Sequence, residues 1–213
     1  IFLLLERRDA DVMLPLELFR IRSFSVANLV TFVVYGALSA GVFLVTVYLQ
    51  VALGYSAVAA GATGLPITIL LMIFSSKVGG LVGRYGPRWF LTAGPLIMAC
   101  GLLWLSRPSA FWTSVFPAML VFASGLVLVV APVTTAALRD IGPERSGTAS
   151  GVNTAVARVA GLLAIAVLPA LAGMGDDGRT GYGAAMTMAA GLCAVGGLIA
   201  VVGFRNTQKP PAA

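Results

Sequence analysis

Arg158 is the one charged side chain set well inside a long apolar stretch of this 213-residue sequence. A guanidinium so placed must face a bundle interior or a wet cavity. Two readings stay open for it. It contacts a substrate, or a carboxylate elsewhere in the protein; or it reaches along the apolar surface to an aqueous end or a helix-end carbonyl. Asn28, Tyr35 and Asn153 are polar candidates at similar depth. On a helix, Asn153 is about 140° round from Arg158 and need not share its face. Buried Asn side chains often bond across helices, so packing is the reading for Asn153. There is no histidine, hence no imidazole base, no His metal ligand and no Ser-His pair. The acidic residues, Glu6, Asp9, Asp11, Glu17, Asp140, Glu144, Asp176 and Asp177, all lie outside the apolar stretches. Ser150 in Gly147-Thr-Ala-Ser150-Gly151 has the wrong spacing for an activated nucleophile. Cys100 and Cys193 are far apart and read as inert thiols packed among helices. No metal, cofactor or catalytic group is expected.

The elements that must carry these residues follow from composition. The chain is 59% hydrophobic and 10% charged, with mean hydropathy +0.96, against about 25% charged residues in soluble domains. Soluble classes and disorder are excluded, and an integral membrane protein remains. Roughly 20 apolar residues cross the hydrocarbon core, so the length allows about six crossings. Apolar segments are expected at residues 24–49, 57–74, 89–105, 115–138, 147–171 and 184–204. They are apolar on all sides and lack the alternation of barrel strands. The expected fold is all-α, a polytopic bundle of six transmembrane helices.

The net charge of +6 is explained by topology. Arg7, Arg8, Arg20, Arg22, Lys77, Arg84, Arg88, Arg139, Arg145, Arg205 and Lys209 fall on one side of the bilayer, Arg107 and Arg179 on the other. The positive-inside rule then places both ends of the segment in the cytoplasm of a multi-pass cell-membrane protein. Nucleic-acid binding loses its motivation. Residues 1–5 are apolar and run into Glu6-Arg7-Arg8-Asp9, the reverse order of a signal peptide. They read as the end of a preceding span whose remainder is absent, or as a short interfacial anchor. The expected division is 1–23, that span end plus an interfacial linker holding Leu14-Pro-Leu-Glu-Leu-Phe19; 24–204, the six-span bundle; and 205–213, a cytoplasmic tail.

Pro66, Pro95, Pro117, Pro132 and Pro169 interrupt the second to fifth spans, and each removes a backbone donor and can bend its helix. Gly79/Gly83 and Gly147/Gly151 have the four-residue spacing that permits close helix approach. Ser56-x4-Gly61 and Ser146-x4-Gly151 sit at corresponding places in the two three-span halves, as inverted repeats would.

Between the second and third spans, in what reads as a cytoplasmic loop, lies Gly79-Gly-Leu-Val-Gly-Arg84-Tyr-Gly86-Pro-Arg88. It resembles the G-x-L-x-D-R-x-G-x-R signature of the major facilitator superfamily. Gly79, Leu81, Arg84, Gly86 and Arg88 match, while Gly83 stands where that family has an acid. Leu14-Pro-Leu-Glu-Leu-Phe19, Phe24-Ser-Val-Ala-Asn28, Tyr48-Leu-Gln50, Leu53-Gly-Tyr55-Ser56, Pro143-Glu-Arg-Ser-Gly147 and Ala149-Ser-Gly-Val-Asn153 are similar to its multidrug efflux branch, the fourteen-span drug:proton antiporters. The resemblance covers nearly the whole chain and implies its last six spans, joined to N-terminal spans of the same polypeptide. It implies efflux of amphipathic or cationic small molecules against protons by alternating access. The first, second, fourth and fifth spans would supply part of a cavity wall, with Asn28, Tyr35, Asn153 and Arg158 as polar candidates. In the family the motif's charges form a latch; with Gly83, its acidic half is absent here. The alternative is a six-span membrane binding or assembly protein without transport of its own.

Overall fold

A computed structural model describes residues 16–108 and 111–204. The expectations for residues 1–5, Leu14, Pro15, Arg205 and Lys209 lie outside the described residues. Hydrocarbon supplies no hydrogen-bond partners, so each crossing satisfies its backbone internally as a helix. Helix α1 runs over Arg22–Val47 and continues as a π turn, Tyr48–Ala52. The second crossing is broken into α2, Ala57–Ala62, and α3, Leu65–Tyr85. Then come α4, Pro87–Leu105; α5, Phe116–Leu138, preceded by a π turn at Phe111–Val115; α6, Ser146–Leu171; and α7, Tyr182–Gly203. Six helical stretches are long and apolar enough to cross a membrane. No strand occurs among the described residues.

The prolines divide into two groups. Pro95, Pro132 and Pro169 lie inside helices. Pro66 and Pro117 instead occupy the first turns of α3 and α5. At Pro66 the turn at Thr63–Gly64 has already interrupted the helix, so the missing N–H starts α3; at Pro117 it falls within the continuous stretch Phe111–Leu138, next to the π turn. The break before α3 is made by Thr63, whose buried hydroxyl donates to the Ala60 carbonyl at 2.6 Å, and by Gly64. The second crossing also runs past residue 74, because Ser75, Ser76 and Lys77 continue the helix beyond its most apolar part.

Helices α1, α5, α4 and α7 close a ring, each touching the next. Outside it, α3 lies on α5 and α6 lies on α1. Exchanging α1 with α5, α3 with α6 and α4 with α7 leaves this pattern of neighbours unchanged, in keeping with the repeat hinted at by the Ser-x4-Gly echo. The flanking helices are the least covered: 17% and 22% of the most apolar stretches of the second and fifth crossings are buried, against 44% to 56% elsewhere.

Close approach is made at glycines other than the expected pairs. A methyl on Gly125 would lie 2.6 Å from the Gly94 carbonyl oxygen and the Met98 nitrogen, and one on Gly101 would meet Phe122 backbone at 2.7 Å. Around Gly79, Gly83, Gly147 and Gly151 nothing in the described chain comes within 4 Å. Those four lie on α3 and α6, whose outer surfaces face away from the ring. Cys193 is buried in α7, but Cys100 is exposed. It shares a stripe of α4 with the exposed Leu96, Leu103 and Trp104, so it is not packed among helices.

Side chains tie the ends together. At the basic end, Arg22 donates to the carbonyls of Val202 and Gly203, both at 3.2 Å, filling acceptors left open at the end of α7. Arg145 pairs with Glu17 at 3.3 Å, and Ser25 donates to the Phe19 carbonyl. At the opposite end Arg179 donates to Ala52 O at 2.7 Å, closing the end of the first crossing. The loop carrying Arg179 is built by Asp177, which accepts from the Thr180 N–H at 2.9 Å, its hydroxyl at 2.8 Å and the Arg179 N–H at 3.0 Å. These bonds, the Thr180 N–H foremost, hold the Asp177 carboxyl below its ordinary value.

Two predictions follow from this packing. Replacing Gly125 with Ala costs about 1–3 kcal/mol through overpacking of α4 on α5. Gly191→Ala, where nothing lies within 4 Å, leaves stability unchanged or raises it by under about 1 kcal/mol. Unfolding of purified protein in mixed micelles measures both. Because the folded Asp177 value is lowered, its contribution is complete above the ordinary carboxyl range near about 4 and is lost as pH falls through the folded value. The Arg179 and Thr180 amides therefore lose hydrogen-exchange protection, relative to an unstructured peptide, only on that acid side; Asp177→Ala removes it at neutral pH as well. Equal protection at both pH extremes in the parent protein overturns the assignment.

Candidate substrate-facing surface

Helix α1 carries a polar stripe. Ser25, Asn28, Thr31, Tyr35, Ser39 and Thr46 recur at helical spacing along its length. Both α1 and α6 begin at the basic end, so they run side by side in the same direction. About two turns in from each start, Asn153 donates to the Asn28 carbonyl oxygen at 3.2 Å and to the Thr31 hydroxyl at 2.9 Å. Asn28 in turn donates to the Phe24 carbonyl at 2.9 Å. Asn28 and Thr31 are buried and Asn153 is half-buried. The network links two crossings 125 residues apart in the chain. Thr31 was not among the residues singled out from sequence; its signal was the three-residue spacing from Asn28, which puts both on one face.

Further along the same seam the helices come close. A methyl on Gly161 would lie 2.6 Å from the Ser39 hydroxyl, and one on Gly36 would lie 3.3 Å from the Ala160 carbonyl oxygen. Asn153, Ala160 and Gly161 thus set the rotation of α6 against α1. Arg158 is about 160° round from Ala160 and emerges exposed on the opposite side of the helix. No described side chain or carbonyl forms a hydrogen bond or ion pair with it. It sits at the middle of α6, about 18 Å from the start of the helix at 1.5 Å per residue. Gly147 and Gly151 share its face, so this surface of α6 is thin at the basic end and charged at its centre. Tyr35, one turn past Thr31, is half-buried against the core rather than joined to the Asn network.

The four candidates thus separate. Asn28 and Asn153 are brought together, and Tyr35 shares their stripe. Arg158 stands apart on the outer face. A different feature lies at the opposite end. A cleft of about 630 Å³ opens between α2, α3 and the start of α5, lined by Tyr55, Thr63, Ile69, Phe111, Trp112 and Phe116. Its rings form a connected set, with Phe111 at 5.1 Å from Trp112 and Trp112 at 5.5 Å from Phe116 between centroids. The cleft was not legible beforehand, because it depends on the helix break at Thr63–Gly64 bringing two distant segments together. On α5 the exposed Ser124, Thr134 and Thr135 each return a hydroxyl bond to a carbonyl four residues back. They therefore remain compatible with an apolar surround.

The signature stretch does not form a loop. Gly79, Leu81 and Arg84 lie within α3, the connection is Gly86 alone at φ +78°, and Arg88 is in the first turn of α4. Leu81 and Val82 keep the Gly-rich stretch helical, and Pro87 starts the next helix at once. Glycine is needed at 86 because its φ lies in the left-handed region.

Removing the carboxamide tests the seam. Asn153→Ala is expected to lower stability by about 1 kcal/mol, the usual scale for a hydrogen bond between membrane helices. Thr31→Val is expected to cost less, because Asn153 retains Asn28. In a double-mutant cycle the two losses are non-additive; additive losses would show that the 2.9 Å contact carries no coupling.

The sequence profile of the Major Facilitator Superfamily matches residues 5–165. The multidrug resistance protein Stp of Mycobacterium tuberculosis is 35% identical over 172 residues, covering 79% of this chain and 32% of that protein. The lincomycin resistance protein of Streptomyces lincolnensis is 34% identical over 177 residues, covering 78% and 35%. The tetracenomycin C resistance and export protein of Streptomyces glaucescens is 30% identical over 174 residues, covering 80% and 32%. The chain aligns to about a third of the length of these relatives. Six apolar crossings, the paired three-helix halves and the profile match together make this multi-pass membrane chain a member of the Major Facilitator Superfamily.

Proposed function

We propose that the chain is the six-span part of an exporter that moves amphipathic or cationic small molecules out of the cell in exchange for protons. In this reading further spans of the same polypeptide, N-terminal to residues 24–204, form the other wall of a central cavity. The basic end faces the cytoplasm, so both ends of the segment lie there, in the cell membrane. Relatives named for multidrug resistance, lincomycin resistance and tetracenomycin C resistance and export support the substrate class.

The observation that carries the reading is Arg158. A guanidinium at mid-depth on the outer face of a membrane helix is too costly to leave in lipid. In a transporter that face borders a hydrated cavity. The Asn28–Thr31–Asn153 network then acts behind the wall, fixing how α6 presents Arg158, while Tyr35 lies along the same seam. Since helices α1 to α7 hold no carboxylate, the proton site belongs to the further spans. Alternating access follows as one bundle rocks against the other, with α3 and α6 as the flanks that slide. Gly79, Leu81, Arg84, Gly86 and Arg88 build the tight α3–α4 turn, and without an acid at 83 they do not form a charge latch.

The test uses the complete polypeptide with membrane abundance held equal. Arg158→Gln is expected to reduce export of a lipophilic cation at least about tenfold, the loss of one charge-assisted contact. Arg158→Lys is expected to recover part of it, since charge returns without the planar fork. Asn153→Ala is expected to lower export less than Arg158→Gln. Export by Arg158→Gln equal to that of the parent removes Arg158 from the cavity and the reading with it.

A further inference from the structure

We propose that the corner between α3 and α4 binds the phosphate of an anionic phospholipid in the leaflet at the basic end. Lys77 and Arg84 are seven residues apart on α3 and therefore lie on one face, two turns apart. Arg88 follows just past the one-residue turn at Gly86. Lys77 and Arg84 are exposed and Arg88 is half-buried. Of the other described cations at this end, Arg20 is exposed on the turn before α1, away from this corner, and three are engaged. Arg22 holds the end of α7, Arg145 pairs with Glu17, and Arg139 has its own contact. The guanidinium groups of Arg84 and Arg88 form no ion pair or hydrogen bond with any described residue, and Lys77 lies over the Phe74 ring at 5.6 Å.

Three further features select a lipid. Gly83 stands where an acid would compete for the two guanidinium groups, and nothing lies within 4 Å of the Cβ positions of Gly80, Gly83 or Gly86, which leaves room beside the cations. Tyr85 and Trp89, 61% and 65% exposed, flank the corner as headgroup-level aromatics do. On the same face of α3, Leu81 is exposed between the two cations and Phe74 is exposed deeper than both, an apolar stripe suited to the acyl chain of a bound lipid. The shared chemistry is a phosphate oxygen anion held by a planar guanidinium fork, which inorganic phosphate also offers. The apolar stripe commits the site to the lipid.

The complete polypeptide in neutral detergent is titrated with phosphatidylglycerol, with phosphatidylcholine of the same acyl chains, or with inorganic phosphate, and bound lipid is followed by native mass spectrometry. The tightest phosphatidylglycerol is expected to bind at least about tenfold more strongly than phosphatidylcholine, at roughly fivefold per cation near a membrane surface. The triple variant K77Q/R84Q/R88Q is expected to lose that preference, R84Q alone to lose roughly fivefold, and R20Q, an exposed cation at the same end, to retain it. Inorganic phosphate at matching concentration is expected not to displace the lipid. Equal binding of the two lipids, an unchanged preference in the triple and R84Q variants, or an equal loss in R20Q overturns the proposal. Displacement by inorganic phosphate reassigns the corner to a free anion and overturns it too. A loss of export in Arg158→Gln has no bearing on these outcomes, so the lipid site and the transport reading fail separately.

Discussion

Hydrocarbon offers a backbone N–H or C=O nothing to bond with, and much of this bundle is a response to that condition. Helical ladders satisfy the middle of each crossing; the difficulty lies at the ends. Arg22 reaches from the start of α1 to two carbonyls at the end of α7, and Arg179 reaches from the loop before α7 to the end of the first crossing. These two cations perform the same service at opposite ends, and each ties the first crossing to the last. Polar side chains within the crossings obey the same rule. Thr46, Thr92, Ser124, Thr135 and Thr187 each bond a carbonyl one turn back, so their hydroxyls ask nothing of a neighbour. Asn28, Thr31 and Asn153 satisfy one another instead, and thereby specify which helix faces which.

With the backbone satisfied, association needs another source of energy, because lipid tails are as apolar as leucine. Close van der Waals contact supplies it. Gly94, Gly101 and Gly125 let α4 and α5 approach until backbone meets backbone; between α1 and α6, Gly36 lies against the Ala160 carbonyl and Gly161 against the Ser39 side chain. The ring of four helices is therefore held by dispersion and the flanks by fewer contacts, which makes α3 and α6 the elements least committed to the ring.

Much of this was legible in the amino-acid order. Crossing number and fold class follow from hydropathy, since a 20-residue apolar run has few alternatives. The Asn153 reading as a cross-helix bond was also accessible, because an amide among apolar residues requires a partner. What failed was local. Ser75, Ser76 and Lys77 read as a boundary, yet helical bonding is indifferent to leaving the apolar layer. Pro66 read as a kink, yet in the first turn of α3 it has no hydrogen bond to break. The Gly79/Gly83 and Gly147/Gly151 spacing read as a packing seam, but spacing cannot say which face a helix turns toward its neighbours. The aromatic cleft at Phe111 and Trp112 arises from long-range juxtaposition and left no mark in either segment alone.

Those misread glycines sharpen the contrast between the ring and its flanks. A glycine in a helix is disfavoured by about 0.5–1 kcal/mol relative to alanine. Where the backbone of a neighbour lies under 3 Å from the position of a missing methyl, as at Gly94, Gly101 and Gly125, contact offsets that cost. At Gly79, Gly83, Gly147 and Gly151 no contact among the described residues does so. All four lie on the two flanking helices, toward the basic end, and on α6 they share a face with Arg158. In the proposed exporter such surfaces are suited to transient contact, because a face without side chains has no rotamers to reorganise as another bundle approaches or withdraws. Permanent contacts would favour the interlocked arrangement seen between α4 and α5. Glycine that is tight between α4 and α5 and open on the outer faces of α3 and α6 thus separates contacts built to stay together from surfaces suited to slide.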